Sequence, residues 1–140
     1  MLLKQMLLKR KLTCLVSCPL KVKVSNSKWF ILNLNHYRNT HYQVLNKAKA
    51  LYKEALRPQL ELLEPFSRIQ LTYTYYPVNK RLADLGNVLS IHQKFFEDAL
   101  VELGKLPADT YKEIPKVIYS FGEIDPTNPR VEVYISEYNT

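Results

Sequence analysis

The stretch "RIQLTYTYYP", Arg68 to Pro77, constrains the fold more than any other part of the chain. Ile69, Leu71, Tyr73 and Tyr75 alternate with Gln70, Thr72, Thr74 and Tyr76. A period of two, rich in β-branched and aromatic residues, is that of a strand with one buried face. Pro77 ends it, having no N–H to give to a ladder. A strand with one apolar face needs neighbours and a cover, so the remaining residues must supply a sheet and something to lie on it.

The neighbours are legible. In "KLTCLVSCPLKVKV" every even position from Leu12 to Val24 is apolar while most odd ones are polar, which predicts a strand. "KWFILNLN", Lys28 to Asn35, reads as a second strand, and Lys116–Phe121 and Arg130–Ile135 as the last two, joined by the loop "GEIDPTNP". The cover comes from two segments with helical spacing. Tyr42 to Leu63 sets Leu45, Ala48, Tyr52, Ala55 and Leu56 on one side, with Pro58 expected to kink or stop the helix. Asn87 to Leu103 aligns Val88, Ile91, Phe95 and Ala99, and Gly104 supplies the stop. The expected fold is α+β, a mixed sheet of about five strands with two main helices in the order β-β-α-β-α-β-β. It forms one domain across residues 1–140, with 1–11 as a mobile basic tip.

Twenty Lys and Arg against 13 acids give a net charge of +7 and a pI near 9.4, which favours a polyanionic partner such as nucleic acid. The plainer alternative is a slightly basic soluble domain, since Lys4, Lys9, Arg10, Lys11, Lys21, Lys23 and Lys28 all precede residue 30. Cys14 and Cys18 share one strand face about 13 Å apart, too far to bridge, so reduced buried thiols in a reducing cytosol are expected. "LVSC" at Leu15–Cys18 is similar to a lipobox, but the apolar stretch before it is too short for a signal segment. No apolar run approaches the roughly 18 residues a membrane span needs. Ser-His-Asp arrangements, glycine-rich phosphate loops and dinucleotide fingerprints are missing, so acyl transfer, kinase and nicotinamide chemistry find no support. His36, His41 and His92 lack zinc spacing; His92 reads as facing solvent, and His36 as a substrate contact.

Arg81 to Pro115 carries the chemistry: Asp84 precedes the second helix, Asp98 lies within it, and Asp109 follows in a loop. "KRLADLGN" at Lys80–Asn87, "DAL" at Asp98–Leu100, "AD" at Ala108–Asp109 and the upstream "LNLNHYRN" together resemble the RusA-type Holliday junction resolvases of phages and prophages. The likeness runs from about Trp29 to Ile135. That family shows a basic pair, an Asp-x-Asp-Asn turn opening a helix, a helical lysine, an Asp-Ala-Leu and a late aspartate. The resemblance implies a homodimeric, Mg²⁺-dependent crossover junction endonuclease that makes paired nicks in four-way DNA junctions in the cytoplasm of a bacterial host. It assigns Asp84, Asp98 and Asp109 as metal ligands and catalytic acids, Lys94 as a catalytic phosphate contact, and Asn35, His36, Arg38, Lys80, Arg81 and Asn87 as DNA contacts.

Two positions depart from the pattern. Gly86 stands in place of the second acid and Ser90 in place of the helical lysine, with Lys94 one turn further on. Helix geometry puts Asn87, Lys94 and Asp98 within about 40° on one stripe. Other readings stay open: Asp84 as a helix cap, Lys94 and Asp98 as an i,i+4 pair, and Asp109 as a turn residue after Pro107. The departures also leave open a non-catalytic relative that binds branched or duplex DNA without cutting it. Lys47 and Lys49 would add phosphate contacts, and Tyr37 or Tyr76 a stacking surface.

Overall fold

The computed structural model describes residues 13–138, so the basic tip expected at 1–11 lies outside the described residues. The elements are β1 (Thr13–Cys18), β2 (Lys21–Lys23), β3 (Trp29–Ile31), α1 (Leu34–Arg38), α2 (Tyr42–Leu60), β4 (Ile69–Tyr76), α3 (Leu85–Glu102), β5 (Lys116–Phe121) and β6 (Arg130–Glu137). Four strands make a mixed sheet in the order β1-β6-β4-β5, with β4 and β5 parallel and the other pairs antiparallel. β2 and β3 form a separate antiparallel ribbon. The fold is α+β, as the sequence predicts.

Register follows the period-two pattern. Leu71 faces Ile135 on one side and Val117 on the other, and Tyr73 faces Val133 and Tyr119, so each apolar row continues across the sheet. Ile69, Leu71, Tyr73, Val131, Val133 and Ile135 are all fully buried beneath the helices. The outer edge of the sheet is closed by α2: Ser17 N–H donates to Gln59 Oε1 at 2.8 Å, and Gln59 Nε2 donates back to the Ser17 carbonyl at 2.8 Å. Such a pairing denies the edge of β1 to another chain.

Three expectations need correction. The run from Leu12 to Val24 is not one strand, because Pro19 has no N–H to extend the ladder and the chain leaves β6 to build the ribbon. The alternation nevertheless survives the break, with Val16, Cys18, Val22 and Val24 all buried. Lys28–Asn35 is a strand only over Trp29–Ile31. Asn33 then caps α1, its side chain accepting from His36 N–H at 2.8 Å, and capping chemistry overrides the apolar pattern of Leu32 and Leu34. Pro58 does not stop α2, which runs on to Leu60; so close to the C-terminus its missing donor removes a single bond.

α3 crosses over between the parallel strands β4 and β5, a connection that needs a long element lying on one face. It buries Leu89, Ile91, Phe95, Phe96, Ala99 and Leu100. Gly104 ends it at φ +74, and Lys105 N–H donates to the Leu100 carbonyl at 2.8 Å. His92 does not face solvent as expected. It is fully buried with Nδ1 2.8 Å from the Tyr52 hydroxyl, and burial pushes its pKa down to about 3, so the imidazole is neutral. Cys14 and Cys18 are free thiols on the core side, and burial pushes both up to about 12. Among the described residues no helix is long and apolar enough to cross a membrane.

The Tyr73 hydroxyl is buried without a hydrogen-bond partner, while its ring packs edge-on against Phe96 and Tyr119. Removing it leaves the ring contacts intact and relieves an uncompensated desolvation, so Tyr73→Phe is expected to raise stability by about 1 kcal/mol. Denaturant melts of the two proteins check this; a loss of stability would mean that the hydroxyl is bonded in solution.

Candidate functional site

α3 is apolar toward the sheet and polar on one flank. Ser90, Gln93, Lys94, Glu97 and Asp98 recur at spacings of three and four, which lines them along one side of the helix. Tyr37 from α1, Lys49 from α2 and Asp109 from the loop after α3 close the space opposite them into a cleft of about 460 Å³. The sequence-assigned residues Lys94, Asp98 and Asp109 are therefore brought together. Asp98 is held by Lys49 at 2.8 Å. That bond raises the Lys49 pKa and keeps the ammonium charged, and the i,i+4 pairing of Lys94 with Asp98 does not account for the site. Lys94 instead leans over Tyr37, its Nζ 5.8 Å from the ring centroid.

Glu97 is the residue that sequence reasoning missed. It is only 9% exposed, and its Oε2 has no hydrogen-bond partner. Burial is the main cause of a pKa raised to about 7; the charges of Asp109 and Asp98 add to it, while a bond from Gln93 and the Lys94 charge pull the other way. Gln93 in turn accepts a hydrogen bond from the Tyr119 hydroxyl, tying the cleft to β5. Ser90 Oγ is also buried without a partner. The signal for Glu97 was its place next to Phe96 at the border of the apolar face, seven residues after Ser90.

The structure does not bring Asp84 to this cleft. Asp84 caps α3, its side chain accepting from Gly86 N–H at 3.0 Å. Fourteen residues of helix at 1.5 Å each separate it from Asp98 by about 20 Å. The capping alternative describes it, and the expected three-aspartate cluster does not form. A Cβ on Gly86 would meet only Asp84 Oδ1, at an ordinary 3.5 Å, so an acid side chain has room there. Asn87 also lies away from the cleft: its Oδ1 accepts from Leu34 N–H at 3.2 Å and joins α3 to α1. Among the described residues no group of three or more His, Cys, Asp or Glu is placed to hold a metal ion.

The assigned DNA contacts fall in two places. Asn35 and His36 line a groove beside the ribbon, and Arg38 is exposed at the end of α1. Lys80 and Arg81 are exposed in the loop before α3, at the Asp84 end. Fold and cleft define a helix-covered α+β protein with a cleft of mixed charge. No protein-family model matches the chain, and no curated protein matches it.

Glu97 and His92 give the protein opposite pH dependences. Folded Glu97 keeps its proton up to about pH 7, whereas the unfolded chain releases it near 4.5, so its burial weighs increasingly against the fold between those values. His92 acts in reverse: the unfolded chain takes a proton below about 6.5 that the folded imidazole refuses until about 3, so stability falls as the pH drops through that range. Glu97→Gln removes only the first effect. The variant is expected to match wild type near pH 4.5 and to exceed it by roughly 1–3 kcal/mol above pH 7, in unfolding free energies measured across pH. A pH-independent difference would show that Glu97 ionises normally.

Proposed function

We propose that the protein binds branched or duplex DNA, as a homodimer built on the resolvase-like pattern its sequence resembles, and that it does not cut the DNA. One observation carries this reading. From Met1 to Lys53 the chain has eleven basic residues and no Asp or Glu. Of these, Lys21, Lys23 and Lys28 sit on or beside the ribbon, Arg38 on α1, and Lys47, Lys49 and Lys53 on α2. Every acid of the chain follows from Glu54 onward. Lys49 and Lys53 are paired with Asp98 and Glu102 of α3, and the other basic residues of these elements, which carry no acid of their own, meet phosphate by releasing condensed cations from the DNA.

The residues present do not fit a bound Mg²⁺ as they stand, since Asp84 caps a distant helix end and Asp98 is paired with Lys49. A second reading, the metal-dependent endonuclease, is favoured by Glu97: its unpartnered carboxylate shares a cleft with Asp98, Asp109 and Lys94. That reading requires Lys49 to release Asp98.

A labelled four-way junction, with and without Mg²⁺, separates the two. The expected result is a complex that weakens steeply with salt and no nicked product. Lys47→Ala and Lys94→Ala should each reduce the slope of log affinity against log salt by about 1. Nicking abolished by Glu97→Gln or Asp109→Asn would establish the endonuclease instead. Affinity no greater than that of an unrelated protein of equal charge would end both readings.

A further inference from the structure

We propose that the outer face of the β2–β3 ribbon is a stacking platform for an unpaired base, with Trp29 beneath the base and Lys21 and Lys23 on the neighbouring phosphates. The ribbon alternates exposed, buried, exposed in both strands. Val22 and Phe30 turn inward, at 6% and 2% exposure, which leaves Lys21, Lys23, Trp29 and Ile31 on the outer face. Lys23 is directly opposite Trp29, and Lys21 is its diagonal neighbour. Both cations lie over the indole, with Lys21 Nζ 4.5 Å and Lys23 Nζ 5.8 Å from the ring centroid.

Trp29 is 47% exposed, although it is a residue that buries much apolar area when a fold has a place for it. It stands as a ridge between two grooves of about 660 Å³ each. One carries Lys28, Asn35, His36 and His41 and offers hydrogen bonds; the other is largely apolar, with Ile31, Val78 and Pro129. An aromatic ridge flanked by lysines, in a part of the chain free of acids, matches the chemistry of single-stranded nucleic acid: a π-face for the base and cations for the backbone on either side. When a base stacks on the indole, the ammonium groups move from the ring to phosphate oxygens. A duplex offers no free base face, so the platform reads unpaired nucleotides such as those at a branch point.

This inference rests on nucleic acid being the partner, and the test keeps the two claims apart. Trp29 is the one tryptophan of the chain beside ten tyrosines, so emission excited selectively at the indole, beyond the tyrosine absorption band, reports on this face. Titrating the full chain with oligo(dT) and, in parallel, oligo(rU) should quench the emission, and the two arms show whether DNA or RNA is preferred. Trp29→Ala should weaken oligonucleotide binding about 10-fold or more, read by anisotropy of a labelled strand, and Trp29→Phe less. Lys21→Ala with Lys23→Ala should flatten its salt dependence. Binding of fully paired duplex by Trp29→Ala should stay within about two-fold of wild type, and Trp29 is exposed enough that its loss leaves the core intact. Unquenched emission in a protein that still binds duplex, or equal oligonucleotide affinity in Trp29→Ala, overturns the platform while the DNA-binding reading stands. Absence of binding to every nucleic acid overturns both.

Discussion

The packing of α3 against the sheet decides which side chains can meet. β4 and β5 are parallel, so the chain must travel back along the sheet between them, and it does so as one unbroken helix from Leu85 to Glu102. Leu89, Phe95, Phe96 and Leu100 fix the rotation of that helix by burying one side of it. Rotation and length together set the geometry of the cleft. Residues of the C-terminal half that point to the flank, Lys94, Glu97 and Asp98, share a space with Asp109 just beyond the helix end. A residue at the N-cap, however suggestive in sequence, stays about 20 Å away. No side-chain rearrangement closes such a gap; only a break in a buried helix would.

The same burial governs the ionisable groups that α3 carries. His92 and Glu97 both point away from water, and each answers by becoming neutral in its own way, the imidazole by refusing a proton and the carboxyl by keeping one. His92 has a partner for Nδ1 in the Tyr52 hydroxyl, while its Nε2 is buried without one, enclosed in the core. Glu97 differs, because its unpartnered oxygen belongs to a residue lining a cleft that charged side chains share. With Lys49 engaged by Asp98, the charge facing Glu97 is close to balanced, and its proton responds to whatever enters. An anion drawn to Lys94 favours the protonated form; a cation drawn to Asp109 favours the ionised form. Proton uptake or release therefore carries the signature of the ligand.

What the sequence revealed and what it hid follow from locality. Strands β4 and β6 and the helical run after Asn87 were legible because period-two and period-3.6 patterns report directly on which face is buried. The Leu12–Val24 run shows the limit: its alternation named the inward residues correctly across a break that Pro19 imposes, but it was silent about which partner each half would choose. Asn33 was readable in principle as a cap, yet the apolar residues beside it suggested a strand. In the candidate site, Lys94, Asp98 and Asp109 are close in sequence and close in space. Asp84 was grouped with them by the resemblance of its motif, which takes no account of the axial length of the helix between them. Lys49, forty-nine residues before Asp98, became its partner through tertiary packing that no local pattern encodes.

The ribbon shows how the fold sorts charge. Its inner face is anchored on the same helix, with Phe30 stacked on Phe95 at 5.8 Å and edge-on to His36 at 6.0 Å. Because those contacts satisfy Phe30 and Val22, the outer residues have no structural task in the core and remain in solvent. With Lys4, Lys9, Arg10 and Lys11 set aside, sixteen basic residues face thirteen acids, a near balance over the chain as a whole. The imbalance is regional: it belongs to the elements that precede Glu54, while the acids gather in the later ones. A field of one sign over part of the surface steers a polyanion in orientation as well as in rate. On the proposed DNA-binding reading, such a field turns the ribbon and the start of α2 toward the polyanion, while Tyr37 and Lys49 line the cleft on α3.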